Sequence, residues 1–160
     1  MKSEKPERKE IAVNRKARFD YFIYDRFEAG IKLIGSEVKS IREGKVNLGD
    51  SFVRIVKGEA FLFNCHIAAY SHIQGHVEYD SRSSRKLLLK RSEIDKLEGL
   101  ISQKGQTIVP LSLYFKRGLV KVEIAVAQGK KQFDKRETIR RRIHDRESSQ
   151  AIKQHSRKQK

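Results

Sequence analysis

The sequence predicts a mainly β protein: a small antiparallel OB-like barrel with two or three flanking helices, then a basic C-terminal tail that is disordered when free. Three observations carry that reading. Apolar residues alternate with period two through several runs between Phe19 and Val126, with two short helical patterns and no regular strand–helix alternation. An antiparallel sheet this small leaves edges that barrel closure removes. Charge and core-forming residues also separate: Gly129 to Lys160 holds twelve Lys or Arg against four Asp or Glu, half of the chain's net charge of +16.

Residues 1–13 are polar and charged and are expected as a mobile arm. The barrel is expected over residues 14–130. Phe19, Tyr21 and Ile23 alternate with Asp20, Phe22 and Tyr24 as a first strand, and Ala29 to Ile34 forms a second after the polar break Asp25-Arg26. Ser36 has the chemistry of an N-cap, Val38 and Ile41 share one helical face, and Gly44 closes a helix of about two turns with Glu37, Lys39 and Arg42 outward. Ser51–Val56 and Glu59–Asn64 read as a hairpin around Lys57-Gly58, its second run able to continue through Cys65 to Tyr70. His72 to Ser84 is polar and reads as a long surface loop. Lys86–Lys90 is a short strand. Ser92 opens a second helix with Ile94, Leu97, Leu100 and Ile101 on one side and Gly105 at its end.

The strongest pattern is the last. Val109, Leu111, Leu113 and Phe115 alternate with Pro110, Ser112 and Tyr114; after Lys116-Arg117-Gly118, Val120, Val122, Ile124 and Val126 do the same. This predicts a hairpin with one buried face, and Pro110 places its strand at an edge or bulge. Residues 131–160 form the tail. Ile139 and Ile143 stand four apart, as in a nascent helix, but with Ile152 they are nearly the only apolar residues.

At 160 residues and 38% apolar content the chain fills one core. An excess of 36 Lys plus Arg over 20 Asp plus Glu repels itself in a compact state, which points to a polyanionic partner. A membrane is not that partner, since no apolar run approaches the ~20 residues that span a bilayer. The mixed-charge N-terminus lacks an apolar targeting stretch, and a single cysteine fits a reducing compartment, so a cytoplasmic location is expected.

No catalytic constellation stands out, and neither a cofactor nor a metal is expected. The five histidines have no ligand set around them, and Cys65 follows Phe61-Leu62-Phe63-Asn64 as a buried strand thiol would. Asp20, Asp25 and Glu28 read as surface charge. Lys104-Gly105-Gln106 and Gly129-Lys130-Lys131 are turns, far from the phosphate-loop pattern. The basic clusters carry more. Asn14 to Arg18, Ser84-Arg85-Lys86 and Lys130 to Arg136 set cations at strand ends, where they can follow phosphates while nearby Tyr or Phe stack on unpaired bases.

Several of these segments, in order, resemble the SmpB (small protein B) family of bacterial transfer-messenger RNA-binding proteins. They are Asn14 to Arg18 with Tyr21, Phe27-Glu28-Ala29-Gly30, Gly35 to Ser40, Arg85 to Leu89, and Gly129 to Arg136. The resemblance implies an OB-like barrel that binds the tRNA-like part of transfer-messenger RNA and delivers it to stalled ribosomes. It implies a tail that enters the empty messenger channel beside the decoding centre and ribosomal RNA. Through the charged RNA it also implies elongation factor Tu and alanyl-tRNA synthetase as partners of a monomeric protein. It suggests Glu28, Leu88 and Lys90 as RNA-binding residues, which join Asn14, Lys16, Arg18, Arg85, Lys86, Lys130 and Lys131 expected from the basic segments, and Lys39 of the Gly35 to Ser40 segment. It sets Phe133, Asp134, Lys135 and Arg136 against the ribosome, and Ile139, Arg140 and Ile152 are expected to follow them along the tail. Lys90 departs from an Asn, and Phe133 from a His, found in some members. Asp80 to Lys86 departs too, lacking the family's frequent Pro after the Asp and Arg at the Ser83 position. A structural ribosomal RNA-binding protein, equally small and basic, is the alternative.

Overall fold

The computed structural model describes residues 7–70, 78–103 and 105–158. The chain divides into two compact units, Met1–Gly129 and Lys130–Lys160. Within the described residues of the first unit, β1 (Arg8–Val13), α1 (Arg15–Asp20), β2 (Tyr21–Ile31), α2 (Gly35–Arg42), β3 (Val46–Asn47), β4 (Phe52–Val56) and β5 (Glu59–Phe63) follow one another. Then come β6 (His66–Ile67), β7 (Arg85–Leu88), α3 (Arg91–Ile101), β8 (Gln106–Lys116) and β9 (Leu119–Gly129).

The main sheet is antiparallel, ordered β1-β8-β4-β5-β7-β2-β9, and β9 also pairs with β8. Pairing therefore runs from β8 through β4, β5, β7, β2 and β9 and returns to β8. The side chains inside this ring form the core, with Leu62, Leu113, Val122 and Ile124 fully buried. Each such side chain contributes roughly 1.5–3 kcal/mol relative to exposure. Both hairpins the sequence predicts are present. Lys57 and Gly58 (φ 51° and 75°) and Arg117 and Gly118 (φ 52° and 75°) all take the left-handed conformation that a two-residue hairpin turn needs.

The β8–β9 hairpin differs from expectation in an instructive way. Its register shifts between Pro110 and Ser112. Before this bulge Ile108 faces the main core; after it Leu113 and Phe115 do, while Val109 and Leu111 pack on the opposite face with Ala17, Ala125 and Ala127. The alternating set read as one face is thus split between two, and both faces of central β8 are buried. Pro110 sits at that bulge, where a missing N–H is tolerated.

Four other expectations are corrected. Part of the supposed mobile arm is strand β1, paired with β8 from Arg8↔Lys116 to Val13↔Ser112, because the second half of β8 offers a free edge there. Phe19 and Asp20 do not begin a strand. Asn14 caps helix α1 by accepting from the Ala17 N–H at 3.1 Å and donates to the Pro110 carbonyl at 2.9 Å, so the chain turns before Tyr21. The two strands expected at 19–24 and 29–34 are one strand, β2, and the polar Asp25-Arg26 break falls at a register shift between Ile23 and Arg26. The run through Cys65 to Tyr70 does not extend β5: Asn64 takes φ 61°, and His66–Ile67 pairs instead with Val46–Asn47.

Glu37, expected outward, is buried. Its carboxylate receives Arg85 Nε at 2.5 Å, and both side chains are under a tenth exposed. The remaining Arg85 donors reach the Cys65, Ser81 and Ser83 carbonyls and the Tyr79 hydroxyl at 2.7–3.2 Å. Of the loop expected over 72–84, residues 72–77 lie outside the described residues; the rest is fastened through Tyr79, Ser81 and Ser83. Glu37 also accepts from the Ile34 N–H at 3.1 Å, so the helix is capped at Ile34 and begins two residues earlier than a Ser36 cap would place it.

The second unit is α4 (Gln132–Lys158), where the sequence predicts a tail without structure. Asp134 accepts from the Lys131 N–H at 3.3 Å at its start, and Glu137 and Arg141 pair at 3.4 Å one turn apart. These local terms favour a helix without a core. No helix among the described residues is long and apolar enough to cross a membrane.

Candidate nucleic-acid interface

The antiparallel register of β2 sets Glu28 opposite Glu123 on β9, an unfavourable pair on its own. Cations resolve it. Arg8 reaches Glu123 at 2.8 Å and Arg26 reaches it at 3.2 Å, while Lys116 bonds both Glu28 oxygens at 3.1 and 3.2 Å. The Tyr114 hydroxyl donates to Glu28 at 2.6 Å, and the Arg8 guanidinium lies 3.7 Å from the Tyr114 ring centre. Tyr114's bond, aided by Lys116, holds the Glu28 carboxyl below its usual range, so it is ionised at neutral pH. Burial and the same bond push the Tyr114 hydroxyl far above its ordinary value, which keeps it a donor. The result is a carboxylate fixed in direction, with 38% of its side chain exposed for a partner.

Two residues along β2, Gly30 pairs with Leu88 of β7. A Cβ at Gly30 would stand 3.2 Å from the Leu88 Cβ, so the glycine permits this approach. Leu88 leaves 53% of its surface exposed. Lys90 follows at the start of α3, its N–H donating to Glu93 at 3.0 Å and its side chain outward. Glu28, Lys86, Leu88, Lys90 and Lys121 together line an open cleft of about 710 Å³. Four of these five were singled out from the sequence. Lys121 was not, nor was Tyr114; only the β2–β9 and β8–β9 registers bring them to Glu28, and spacing along one strand carries no trace of that.

The other expected residues fall elsewhere. Lys16 is exposed, paired with Asp50 at the cleft between α1 and β4, and Asp50's bond raises the Lys16 pKa. Arg18 is exposed in the last turn of α1. Lys39 is exposed on α2, its ammonium 5.4 Å from the Tyr70 ring centre. Asn14 and Arg85, also expected at the RNA, are 4% and 3% exposed and make hydrogen bonds that hold the fold together. In the second unit Lys130 donates to Thr138 at 3.1 Å, and the Lys131 side chain is outward. Phe133 is 73% exposed and Ile152 68%; Ile139, Arg136 and Arg140 are exposed along α4, with Asp134 and Lys135 half-buried in its first turn.

Among the described residues, no group of three or more His, Cys, Asp or Glu is placed to hold a metal ion. Cys65 lies in the core, where burial pushes its thiol up to about 11, so it is protonated at neutral pH. Ionised Glu28 beside cations and an exposed leucine suits recognition: base amino groups for the carboxylate, phosphates for the lysines, and a base face for Leu88.

Comparison with known proteins agrees with this chemistry. A family model described as SmpB protein matches residues 11–154. An SsrA-binding protein of Wolinella succinogenes is 56% identical over 149 residues, covering 92% of this chain and 99% of that protein. One from Caldanaerobacter subterraneus is 55% identical over 155 residues, covering 96% and 97%. A solved structure described as "tmRNA-SmpB: a journey to the center of the bacterial ribosome" matches with a TM-score of 0.64 and 46% identity, over 81% of this chain and 94% of that one.

Proposed function

The chain belongs to the SmpB family, and from that premise we propose that it binds the tRNA-like part of transfer-messenger RNA and delivers it to stalled ribosomes for trans-translation. The observation that carries the reading is the cleft in which Glu28, Lys86, Leu88, Lys90 and Lys121 meet. The body, residues 14–130 with β1 added, acts as a closed OB-like barrel that grips the RNA; Lys16, Arg18 and Lys39 extend the contact along its phosphates. The Arg85–Glu37 pair acts indirectly, by holding the strand that presents Lys86 and Leu88. Lys130 and Lys131 add cations at the junction with the tail. The protein works in the cytoplasm as a monomer, without catalysis, cofactor or metal.

The tail, residues 131–160, occupies the empty messenger channel. In the free protein it exchanges between helix and coil, because α4 buries almost nothing and sets Arg136 against Arg140, and Arg142 against Arg146, at the i, i+4 spacing where like charges repel. Channel walls of ribosomal RNA relieve that repulsion and fix the helix. Phe133, Ile139 and Ile152 supply its apolar contacts, and Asp134, Lys135 and Arg136 its entry into the decoding centre. Elongation factor Tu and alanyl-tRNA synthetase meet the protein through the charged RNA. Titrating transfer-messenger RNA with the wild-type protein and with Glu28→Gln tests the cleft. Loss of affinity in the variant, with its melting temperature kept, is the expected result; equal affinity would remove Glu28 from the site.

A further inference from the structure

The outer face of β4, β5 and β7 carries three phenylalanines that the core does not use. Alternation sends Val53, Ala60 and Leu62 inward, where they are at most 3% exposed, so Phe52, Phe61 and Phe63 point outward. Neither core cluster takes up any of the three. Phe52 and Phe63, cross-strand partners, stack with ring centres 5.5 Å apart and planes 14° from parallel. Phe61 leans on Phe63 at 6.4 Å, and the Arg54 guanidinium lies 5.0 Å from the Phe52 ring centre. Phe61 is opposite Lys86 on β7, and Phe52 lines the cleft that Lys16 also lines. A strip of aromatic rings therefore runs between two basic clusters, and its Lys86 end borders the Glu28 cleft.

We propose that this strip is a stacking platform for unpaired nucleobases of the same transfer-messenger RNA that fills the Glu28 cleft; the proposal rests on the function given above. Half-buried rings with a guanidinium plane among them offer flat faces to bases of any sequence. The cations favour RNA over a protein partner. Lys16 and Lys86 are paired with Asp50 and Glu59 in exposed ion pairs, which are weak enough for phosphates to exchange into. Continuity through Lys86 favours one RNA over two: a strand leaving the cleft across β7 meets Phe61 next.

The test uses the full chain and full-length transfer-messenger RNA. Replacing Phe52, Phe61 and Phe63 together with Leu keeps the apolar bulk and removes the planes. The affinity should fall about tenfold or more, because stacking on even one aromatic ring is worth that much. The slope of log K against log salt should not change, since stacking releases no counterions. Unchanged affinity in this variant, with affinity lost in Glu28→Gln, would overturn the platform and leave the cleft standing. Unchanged affinity in both would remove the platform and the cleft together. Weakened ribosome association with unchanged RNA affinity would also overturn the proposal, giving the strip to ribosomal RNA. Ultraviolet crosslinking of the wild-type protein to the RNA needs no variant to fold. Crosslinked peptides containing Phe52, Phe61 or Phe63 are expected, and their absence, with crosslinks found elsewhere, counts against the platform.

Discussion

The two units of this protein carry equal charge and use it in opposite ways. Residues 129–160 hold a net +8, which leaves +8 for everything before them. In the first unit cations are held at fixed points by carboxylates, as Lys116 is by Glu28, Arg8 and Arg26 by Glu123, and Lys86 by Glu59. A packed antiparallel sheet supplies the rigidity that makes those positions repeatable. In the second unit the cations line a helix whose exposed apolar residues, Phe133, Ile139, Ile143 and Ile152, meet no core within it. Under the proposed function, charge in the first unit reads the shape of one RNA, and charge in the second suits any RNA wall that will order it.

The largest effect that sharpens this comparison belongs to the Arg85–Glu37 pair. Arg85→Met leaves a buried carboxylate without its partner, and denaturant unfolding of the first unit should lose about 3–5 kcal/mol. Replacing Glu37 by Leu as well should recover part of the loss, since no charge is then stranded. The helical signal of the tail should be untouched by either. A loss under about 1 kcal/mol for the single variant would mean that the pair is not buried in solution.

Cys65 gives the next effect. Its thiol rises from 9.0 to about 11 in the fold. Below about pH 9 the thiol is protonated in both states, and the folded state keeps its full stability. As pH rises from about 9 toward about 11 the unfolded thiol ionises first, so stability should decline by on the order of 2–3 kcal/mol. Cys65→Ala should flatten that part of the profile. Native protein should also resist thiol reagents at neutral pH, reacting only once unfolded.

Glu28→Gln should weaken RNA binding about tenfold, the scale of one charge-assisted hydrogen bond. The melting temperature should barely move, because the side chain is partly exposed. With its pKa lowered by the Tyr114 and Lys116 bonds, Glu28 protonates later than an ordinary carboxylate as pH falls. Any loss of RNA affinity owed to its protonation should therefore appear at lower pH than for an ordinary carboxylate. Smaller still are the phosphate contacts. If the body makes roughly four to six of them, log K against log salt should slope at about −3 to −5, and Lys86→Ala should flatten it by about one unit.

How much of this was legible beforehand follows from which interactions are local. Both hairpin turns depend on a few neighbouring residues and were readable, as Lys57-Gly58 and Arg117-Gly118 show; the existence of α3 was readable too, but its cap is Lys90 rather than Ser92. The β8 bulge was half legible, since Pro110 marks it, but the exchange of faces across it depends on α1 covering Val109 and Leu111. Glu37 looked solvent-facing because its partner lies 48 residues on. For the same reason the burial of Arg85 was not legible. Glu28, Leu88 and Lys90 were found through family resemblance, whereas Lys121 and Tyr114 join them only through strand register. The aromatic strip was visible as alternation in Phe61-Leu62-Phe63, yet nothing in the sequence says that its outward side is left uncovered.

The division of labour between the two units is tested most directly by a chain ending at Phe133, measured twice: for affinity to transfer-messenger RNA and for peptide tagging on stalled ribosomes. The first unit holds all of the core, so the truncated chain should fold and lose at most about tenfold in RNA affinity, the electrostatic share of the missing cations. Tagging should be abolished, and Ala at Asp134, Lys135 and Arg136 in the full chain should reproduce part of that defect. Tagging at the wild-type level by the truncated chain, or RNA affinity that collapses along with tagging, would contradict the account.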